Sequence, residues 1–519
     1  MKVLFVSNEV APYAKVGGLA DVAGSLPQAL AQRRIDVRIV MPLHRQCRQH
    51  GQFALALESL KVNFGGRTVN TTVLEATLPH SQVPVYFIKH DPYFDRPEVY
   101  GEKGSDYPDA SERYAFFCAA ALALRPALGF EADVIHANDW PTGLLPLFVR
   151  DLPSPPATLY TIHNLGYQGQ FPPDEAEDAG LTAEPGGETL EAGNDQRQTA
   201  PASSIQHPAS AVRRSAPEAL ADATHDGSLN FMAAGIRAAT TINTVSERYA
   251  QEIQTPEFGH GLERLLQARS QDLFGVLNGI DRDLWSPATD GALPANFSAR
   301  DLSGKARCKA ALQEEMGLPI EPQVPLLGCV TRLAWQKGLD LLAKAIPEAI
   351  KFPMQVVVLG TGEADLEQVY ADLDAERKRS AGKGAVAAAI RFDEALARRI
   401  YAGSDLFAMP SRYEPCGLGQ MIAMAYGAIP VVHHTGGLAD TVVERGPQQT
   451  GFVFDRLTAA ELLAALKRAA DAHRNPAAWN AIIANAMAQD FSWTNSAGRY
   501  EQLYETALAL AHAQVRKVG

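Results

Sequence analysis

The sequence predicts an α/β protein built on two doubly wound parallel sheets, and three observations predict it. Short β-branched runs alternate with helix-period segments along the whole chain. At 519 residues the chain exceeds the size at which one hydrophobic core keeps growing, so two domains are expected. Glycine turns recur where a strand hands over to a helix, the place where open sheets of this class hold ligands.

The first half supplies KVLFV, DVRIVMP, VPVYFI, DVIHA, ATLYTIH and TTINTVS as strands, and the second supplies GVLNG, PLLGCVT, MQVVVLG, DLFAMP and IPVVHH. Helical spacing follows several of them, as in Leu339, Leu342, Ala345 and Ile346. The halves are expected to change near Gly275 to Pro287, at the turn residues Asn278 and Gly279. That gives domains over 1–275 and 276–490, with a hinge between them. A C-terminal helix over 491–519, with Tyr500, Leu503, Tyr504 and Leu508 on one side, is expected to pack back on the first domain. Pro27 is expected to kink or restart the first helix, having no N–H to donate. The segment 172–228, rich in Ala, Pro, Ser and acids and lacking Phe, Trp and Tyr, has too little apolar surface to order itself and reads as a lid or a dispensable insertion.

Composition narrows the function classes. Apolar residues at 46% and charged residues at 20% are ordinary for a soluble globular chain. A formal charge of -12 repels nucleic acid and anionic membranes, so any phosphate binding must be local. The five cysteines are odd in number and scattered, without metal or disulfide spacing. The opening apolar run is too short for a signal segment, and no stretch approaches the roughly 18 apolar residues of a membrane span. A cytoplasmic protein with no metal, nucleic acid or membrane partner is expected.

Seven stretches carry candidate chemistry. Lys15, Gly17 and Gly18 follow the first strand. Glycines there let backbone N–H groups approach an oxygen-rich ligand, and lysine adds a charge; a tight turn with a surface lysine is the alternative. Arg332 and Lys337 share the loop after PLLGCV, where guanidinium and ammonium would grip a diphosphate or simply be solvated. Gly360 and Gly362 form a further turn, but Asp365 stands where a dinucleotide fingerprint needs its third glycine, which disfavours an NAD enzyme. Glu414 precedes a helix expected to start near Gly417 or Leu418, so it either holds a neutral sugar beside a phosphate or complements the helix dipole. Thr435, before Gly436 and Gly437, repeats the turn geometry. His163 and Asp139 each follow a strand of the first half; a lone histidine there is more often a structural hydrogen-bonder than a catalyst.

Taken in order, SNEVAPYAKVGGLADV, HANDW, YTIHNLGYQG, INTVSERYAQEI, GVLNGIDRDLWSP, TRLAWQKGLDLL, PSRYEPCGLGQM and HTGGLADTV make the chain resemble the bacterial glycogen synthases, in the retaining glucosyltransferase family that also contains starch synthases. The resemblance implies two Rossmann-like domains facing across a cleft, the GT-B type of glycosyltransferase. It implies transfer of glucose from ADP-glucose to the 4-hydroxyl at the non-reducing end of glycogen or another α-1,4-glucan, with no metal and no other cofactor. By position, Lys15, Gly17 and Gly18 would contact the donor. Arg332 and Lys337 would hold its diphosphate with Gly417 and Leu418 assisting, Phe392 would lie beside adenine, Thr435 would face the same ligand, and Glu414 would bind the transferred glucose. His163 would sit at the reacting carbon with Asp139 nearby. Some relatives of the fold carry a second glutamate eight positions after the first; here that residue is Ile422, as in the glycogen and starch branch. Alternatives are the same chemistry with UDP-glucose or another acceptor, or a non-catalytic glucan-binding protein.

Overall fold

A computed structural model of the chain describes residues 1–102, 105–181, 216–379 and 385–518. The chain divides into two compact units, Met1–Asn243 with Gly259–Leu273 and Ala497–Gly519, and Thr244–Phe258 with Phe274–Ser496.

Numbering only the strands of the two main sheets, the first sheet comprises β1 Lys2–Val6, β2 Asp36–Pro42, β3 Ala54–Phe64, β4 Arg67–Thr77, β5 Pro84–Lys89, β6 Val134–Asn138, β7 Ala157–Ile162, β8 Thr241–Thr244 and β9 Leu273–Gly275. Its order is β9-β8-β7-β6-β1-β2-β5-β4-β3. Its central pairs, β7 with β6, β6 with β1, β1 with β2 and β2 with β5, are parallel. The second sheet comprises β10 Leu326–Val330, β11 Gln355–Leu359, β12 Val386–Ala389, β13 Leu406–Met409, β14 Ile429–His433 and β15 Phe452–Phe454, in the order β12-β11-β10-β13-β14-β15. Every pair in it is parallel. The core strands β1, β6, β7, β10, β11 and β14 are near-continuous apolar runs, because helices cover both faces.

Four sequence expectations change here. The hairpin β3–β4 adds two antiparallel strands to the first sheet, so that sheet is mixed. The GVLNG run does not enter the second sheet; Leu273–Gly275 is an edge strand of the first. The helix Gly18–Gln32 is continuous through Pro27 rather than restarted by it, and Gln28 Nε2 donates to Gly24 O at 2.7 Å beside it, so a side chain supports a carbonyl in the turn that the proline disturbs. The ends of the 172–228 segment are built: a 3-10 turn Pro173–Ala176, a helix Ala216–Ala223 and a strand Ser228–Asn230 paired with Gln170–Phe171, anchored by buried Ala176, Ala179, Leu181, Ala223 and Leu229. The rest of that segment, 182–215, lies outside the described residues.

The last helix, Trp493–Val518, places two tyrosines in the first unit's core. Thr161 Oγ1 donates to Asn243 Oδ1 at 2.6 Å, so it must accept from His136 Nε2, 2.6 Å away. That leaves His136 Nδ1 to accept from Tyr504 OH at 2.9 Å. Burial holds His136 neutral, its pKa well below the usual value. Tyr504→Phe should therefore strand a buried ring nitrogen and lower stability by about 1–3 kcal/mol in urea unfolding; an unchanged midpoint would refute the hydrogen-bond chain.

Candidate active site

Both sheets reverse strand order beside their first strand. In the first unit the reversal lies between β1 and β6, and in the second between β10 and β13. At such a point the two flanking connections leave in opposite directions and open a crevice beyond the strands' carboxyl ends. Lys15 and Asp139 follow the strands that flank the first reversal, and Arg332, Lys337 and Glu414 follow those that flank the second, whereas His163, Phe392 and Thr435 follow β7, β12 and β14.

In the first unit Asp139 follows β6 and His163 follows β7, and the fold brings them together. Asp139 Oδ1 accepts from His163 N at 2.7 Å and Asn164 N at 3.4 Å. Asp139 has φ 56 and ψ 179, a backbone region that residues other than glycine rarely enter. Burial is the main reason its carboxyl is raised from 3.8 to about 7, with the Glu9 charge adding to it against the two N–H donors. His163 is buried as a neutral ring, lowered by desolvation to about 3. Its Nε2 lies 3.0 Å from Asn138 Oδ1; with that oxygen accepting, Nε2 carries the proton and Nδ1 remains an acceptor. The hydrogen-bonding role is thus present, with one ring nitrogen left for other use.

The Lys15 turn departs from expectation in one respect. Val16 N and Gly17 N donate to Glu9 Oε2 at 2.5 and 2.9 Å, so these two groups are occupied by the chain's own carboxylate and do not await a ligand. Lys15 Nζ pairs with Asp21 Oδ1 at 2.6 Å on the surface. Gly17 and Gly18 have no positive φ, and an added Cβ at either meets no atom within 4 Å. Neither folding geometry nor packing therefore requires glycine there.

In the second unit the loops after β10 and β13 are stitched together. Gly338 has φ 67, and a Cβ on it would stand 1.9 Å from Pro410 O, so only glycine permits the approach. Arg412 N donates to Gln336 O at 2.9 Å, and the Arg412 guanidinium pairs with Asp340 at 2.7 and 3.0 Å. This contact delivers Lys337 Nζ to both oxygens of Glu414, at 2.9 and 2.7 Å, while Ser411 Oγ donates to Glu414 Oε2 at 2.9 Å. Glu414 is 6% exposed. It is the partner of Lys337 rather than a cap for the following helix, which starts at Gly419 with Leu418 as N-cap. Gly417 supplies the turn with φ 72.

The other second-unit candidates surround this pair unevenly. Arg332, on the same loop as Lys337, is exposed and makes no ion pair among the described residues. Phe392, just after β12, is 89% exposed, a bare ring of unusual degree for a large apolar side chain. Thr435 Oγ1 donates to Glu252 Oε2 at 3.1 Å, and Gly436 N reaches both Glu252 oxygens at 3.1 and 3.0 Å, so this turn too is filled by an internal carboxylate. Gly437 N donates to Glu414 O at 3.0 Å, which ties the turn to the loop carrying the glutamate. Sequence reasoning missed Glu9, Glu252, Ser411 and Asn138. Glu9 alone had a visible signal, an acid three residues beyond a buried strand.

Among the described residues no three His, Cys, Asp or Glu side chains are grouped as a metal site requires, and no helix is long and apolar enough to cross a membrane.

Known proteins agree with this architecture along the full length. Residues 2–268 match the starch synthase catalytic domain family and residues 324–472 match glycosyl transferases group 1. The chain is 44% identical to a glycogen synthase of Syntrophotalea carbinolica over 99% of this chain and 100% of that one, and 43% identical to one of Thermotoga maritima over 98% and 99%. The solved catalytic domain of starch synthase IV from Arabidopsis thaliana, bound to ADP and acarbose, matches with a TM-score of 0.82 at 32% identity over 98% of this chain and 99% of that one. A sucrose-phosphate synthase from Thermosynechococcus elongatus, at 18% identity and a TM-score of 0.57 over 98% and 99%, shares the fold alone. The chain belongs to the glycogen synthase family of glycosyltransferases, with its starch synthase catalytic domain and GT-B fold.

Proposed function

We propose that the protein transfers glucose from ADP-glucose to the non-reducing end of an α-1,4-glucan such as glycogen, with retention of configuration. The observation that carries the reading is the Lys337–Glu414 pair, its carboxylate buried and its ammonium half-buried, on loops at the reversal point of the second sheet, with exposed Arg332 on the same loop as Lys337. Membership of the glycogen synthase family supports it, as does a structural neighbour bound to ADP and acarbose.

Departure of ADP gathers negative charge on the β-phosphate while positive charge grows at the anomeric carbon. Arg332 and Lys337 are assigned to the phosphates, with the Gly417–Leu418 turn assisting. A cation about 4 Å from a phosphate charge is worth roughly 4 kcal/mol at an effective dielectric near 20. Phe392 offers a stacking face to the base, a contact that favours no base strongly, so the choice of adenine rests on the family. Glu414, with both oxygens held, is assigned to the glucose hydroxyls and to the growing positive charge rather than to nucleophilic attack. The departing phosphate then takes the acceptor's proton on the same face, which retains configuration. Thr435 is assigned to the donor, its hydroxyl oxygen still able to accept. Lys15, Gly17 and Gly18 are assigned to the donor as well, and neutral His163, with Asp139 behind its backbone, to the reacting sugar. No metal or other cofactor enters this scheme.

The same diphosphate contacts suit UDP-glucose, so both donors belong in the test. With glycogen as acceptor, nucleotide release should be much faster from ADP-glucose than from UDP-glucose; release from neither would leave only a glucan-binding protein. Arg332→Ala should lose at least about tenfold in turnover with an unchanged melting temperature, since the side chain is exposed. Lys337→Ala should lose at least as much and also melt earlier, because it strands the buried Glu414 carboxylate. Near-normal turnover in both overturns the phosphate assignment.

Gly18→Ala separates ligand contact from folding. Alanine favours the helix start and meets no atom, so thermal stability should hold or rise. The donor KM should climb about fivefold or more, the factor that accompanies ~1 kcal/mol. An unchanged KM removes Gly18 from the site.

The buried acid predicts a pH dependence of stability. Between its unfolded value of 3.8 and about 7, Asp139 binds a proton in the folded chain only. Its contribution is therefore present below about 3.8 and lost as pH rises to about 7. His163 acts oppositely, its contribution present above 6.5 and lost as pH falls towards about 3. Asp139→Asn removes only the first, so relative to wild type it should gain about 1–3 kcal/mol between pH 5 and pH 8. A difference independent of pH in urea unfolding would show that Asp139 is ionised throughout.

A further inference from the structure

We infer that Glu9 is a positioning residue for the transfer reaction: its buried carboxylate locks the inner face of the Lys15–Gly18 turn and so holds the outer face in one shape for the donor. This rests on the proposed contact between that turn and ADP-glucose.

Glu9 follows β1 in the segment Ser7-Asn8-Glu9 and is 3% exposed. A carboxylate is expensive to bury unless its oxygens are fully engaged. Here Oε2 takes Val16 N at 2.5 Å and Gly17 N at 2.9 Å, and Oε1 takes Tyr100 OH at 2.5 Å. Gly17 is the N-cap of the helix Gly18–Gln32 and has no capping side chain of its own. The helix is thus begun by an acid reaching back from the end of the strand, and charge-assisted bonds to backbone N–H groups are stronger than those a serine or asparagine cap would make.

The rest of the connection is held by its own backbone. Val10 and Ala14 exchange hydrogen bonds at 3.1 and 3.0 Å, and Ala11 N donates to Ala20 O at 3.0 Å. Gly24 belongs to the same packing, since a Cβ there would lie 2.7 Å from Ala11 O. Against this rigid base the turn has two unlike faces. Its N–H groups at 16 and 17 point inward to Glu9, while Gly17 and Gly18 leave open space where side chains would stand.

Lys15 itself is free to change partners. Its pair with Asp21 joins two side chains that are 54% and 38% exposed, and such surface pairs are weak. An arriving phosphate can draw the ammonium away from Asp21 without moving the backbone that Glu9 fixes. Glu9 bears on Asp139 as well, its charge adding a little to the burial that raises that carboxyl.

The test is a kinetic cycle on the full chain with ADP-glucose and glycogen, with melting temperatures alongside. Glu9→Ala should raise the donor KM about tenfold and lower kcat several-fold, and in a Lys15→Ala background it should cost no more than about threefold further, because coupled residues are non-additive. Glu9→Gln should stay within about threefold of wild type: its amide oxygen still accepts both N–H groups, and its amide nitrogen can donate to the Tyr100 oxygen. If Glu9→Ala does not fold, Glu9→Asp replaces it; one methylene shorter, it should raise KM by more than Glu9→Gln does.

Normal kcat and KM with only a lower melting temperature in Glu9→Ala, full multiplicativity with Lys15→Ala, or equal damage from Glu9→Gln each overturn the inference. An unchanged kcat/KM in Lys15→Ala instead strikes the underlying reading of the turn, and the role through Lys15 falls with it.

Discussion

The candidate site of the second unit is built around one ion pair. Lys337 and Glu414 come from loops that follow β10 and β13, the two strands between which the strand order reverses. The buried Glu414 carboxylate is not stable there alone: removing the partner of a buried charge typically costs about 3–5 kcal/mol. The approach is possible because Gly338 and Gly436 lack side chains against Pro410 O and Glu414 O, and because Arg412 binds Asp340 across the same gap. At the opposite end of the same two strands, Asp405 Oδ2 accepts from Leu326 N at 2.9 Å and pairs with Lys309 at 2.6 Å. The strands are therefore pinned behind the site, and the pair in front is presented on a rigid base.

The glycine turns make a second common theme. Read as sequence, Lys15–Gly18 and Thr435–Gly437 offer open backbone N–H groups to an anion. In the folded chain Glu9 fills the first and Glu252 the second. A turn satisfied from within is preorganised, and the ligand need not supply the energy that orders it. In the second unit the Arg332 guanidinium is exposed, whereas the Lys337 ammonium on the same loop is paired with Glu414.

Much of this was legible in the residues, and the illegible parts share a cause. Apart from GVLNG, the β-branched strands and the stripe Leu339, Leu342, Ala345 and Ile346 are legible, because burial on a sheet face imposes the period that sequence displays. The strand Val386–Ala389 was not visible, since VAAA has the composition of a helix and becomes a strand only by pairing with β11. The hairpin β3–β4 was hidden by half-exposed strands with charged residues among the apolar ones. For the site, the motifs marked the right loops, but a motif does not show what already occupies its donors. Glu9 lies seven and eight residues from the N–H groups it binds, and Glu252 lies more than 180 positions from Gly436; only the fold brings them to their partners.

Asp139 shows how such a site is held in place. Its left-handed backbone costs about 1–3 kcal/mol and persists because the residue is fixed at several points. Its N donates to Thr161 O at 2.9 Å, its carboxyl takes His163 N and Asn164 N, and Thr142 Oγ1 donates to its carbonyl at 3.1 Å. These bonds tie the end of β6 to the end of β7, so His163 cannot shift unless Asp139 leaves its strained conformation. The histidine at the next strand end is thereby set by a backbone constraint as well as by its own hydrogen bond to Asn138. An asparagine at 139 keeps the acceptor oxygen and hence the geometry, whereas an alanine releases both loops together. Position at this corner belongs to the hydrogen bonds, whereas protonation is set mainly by burial acting against those same bonds.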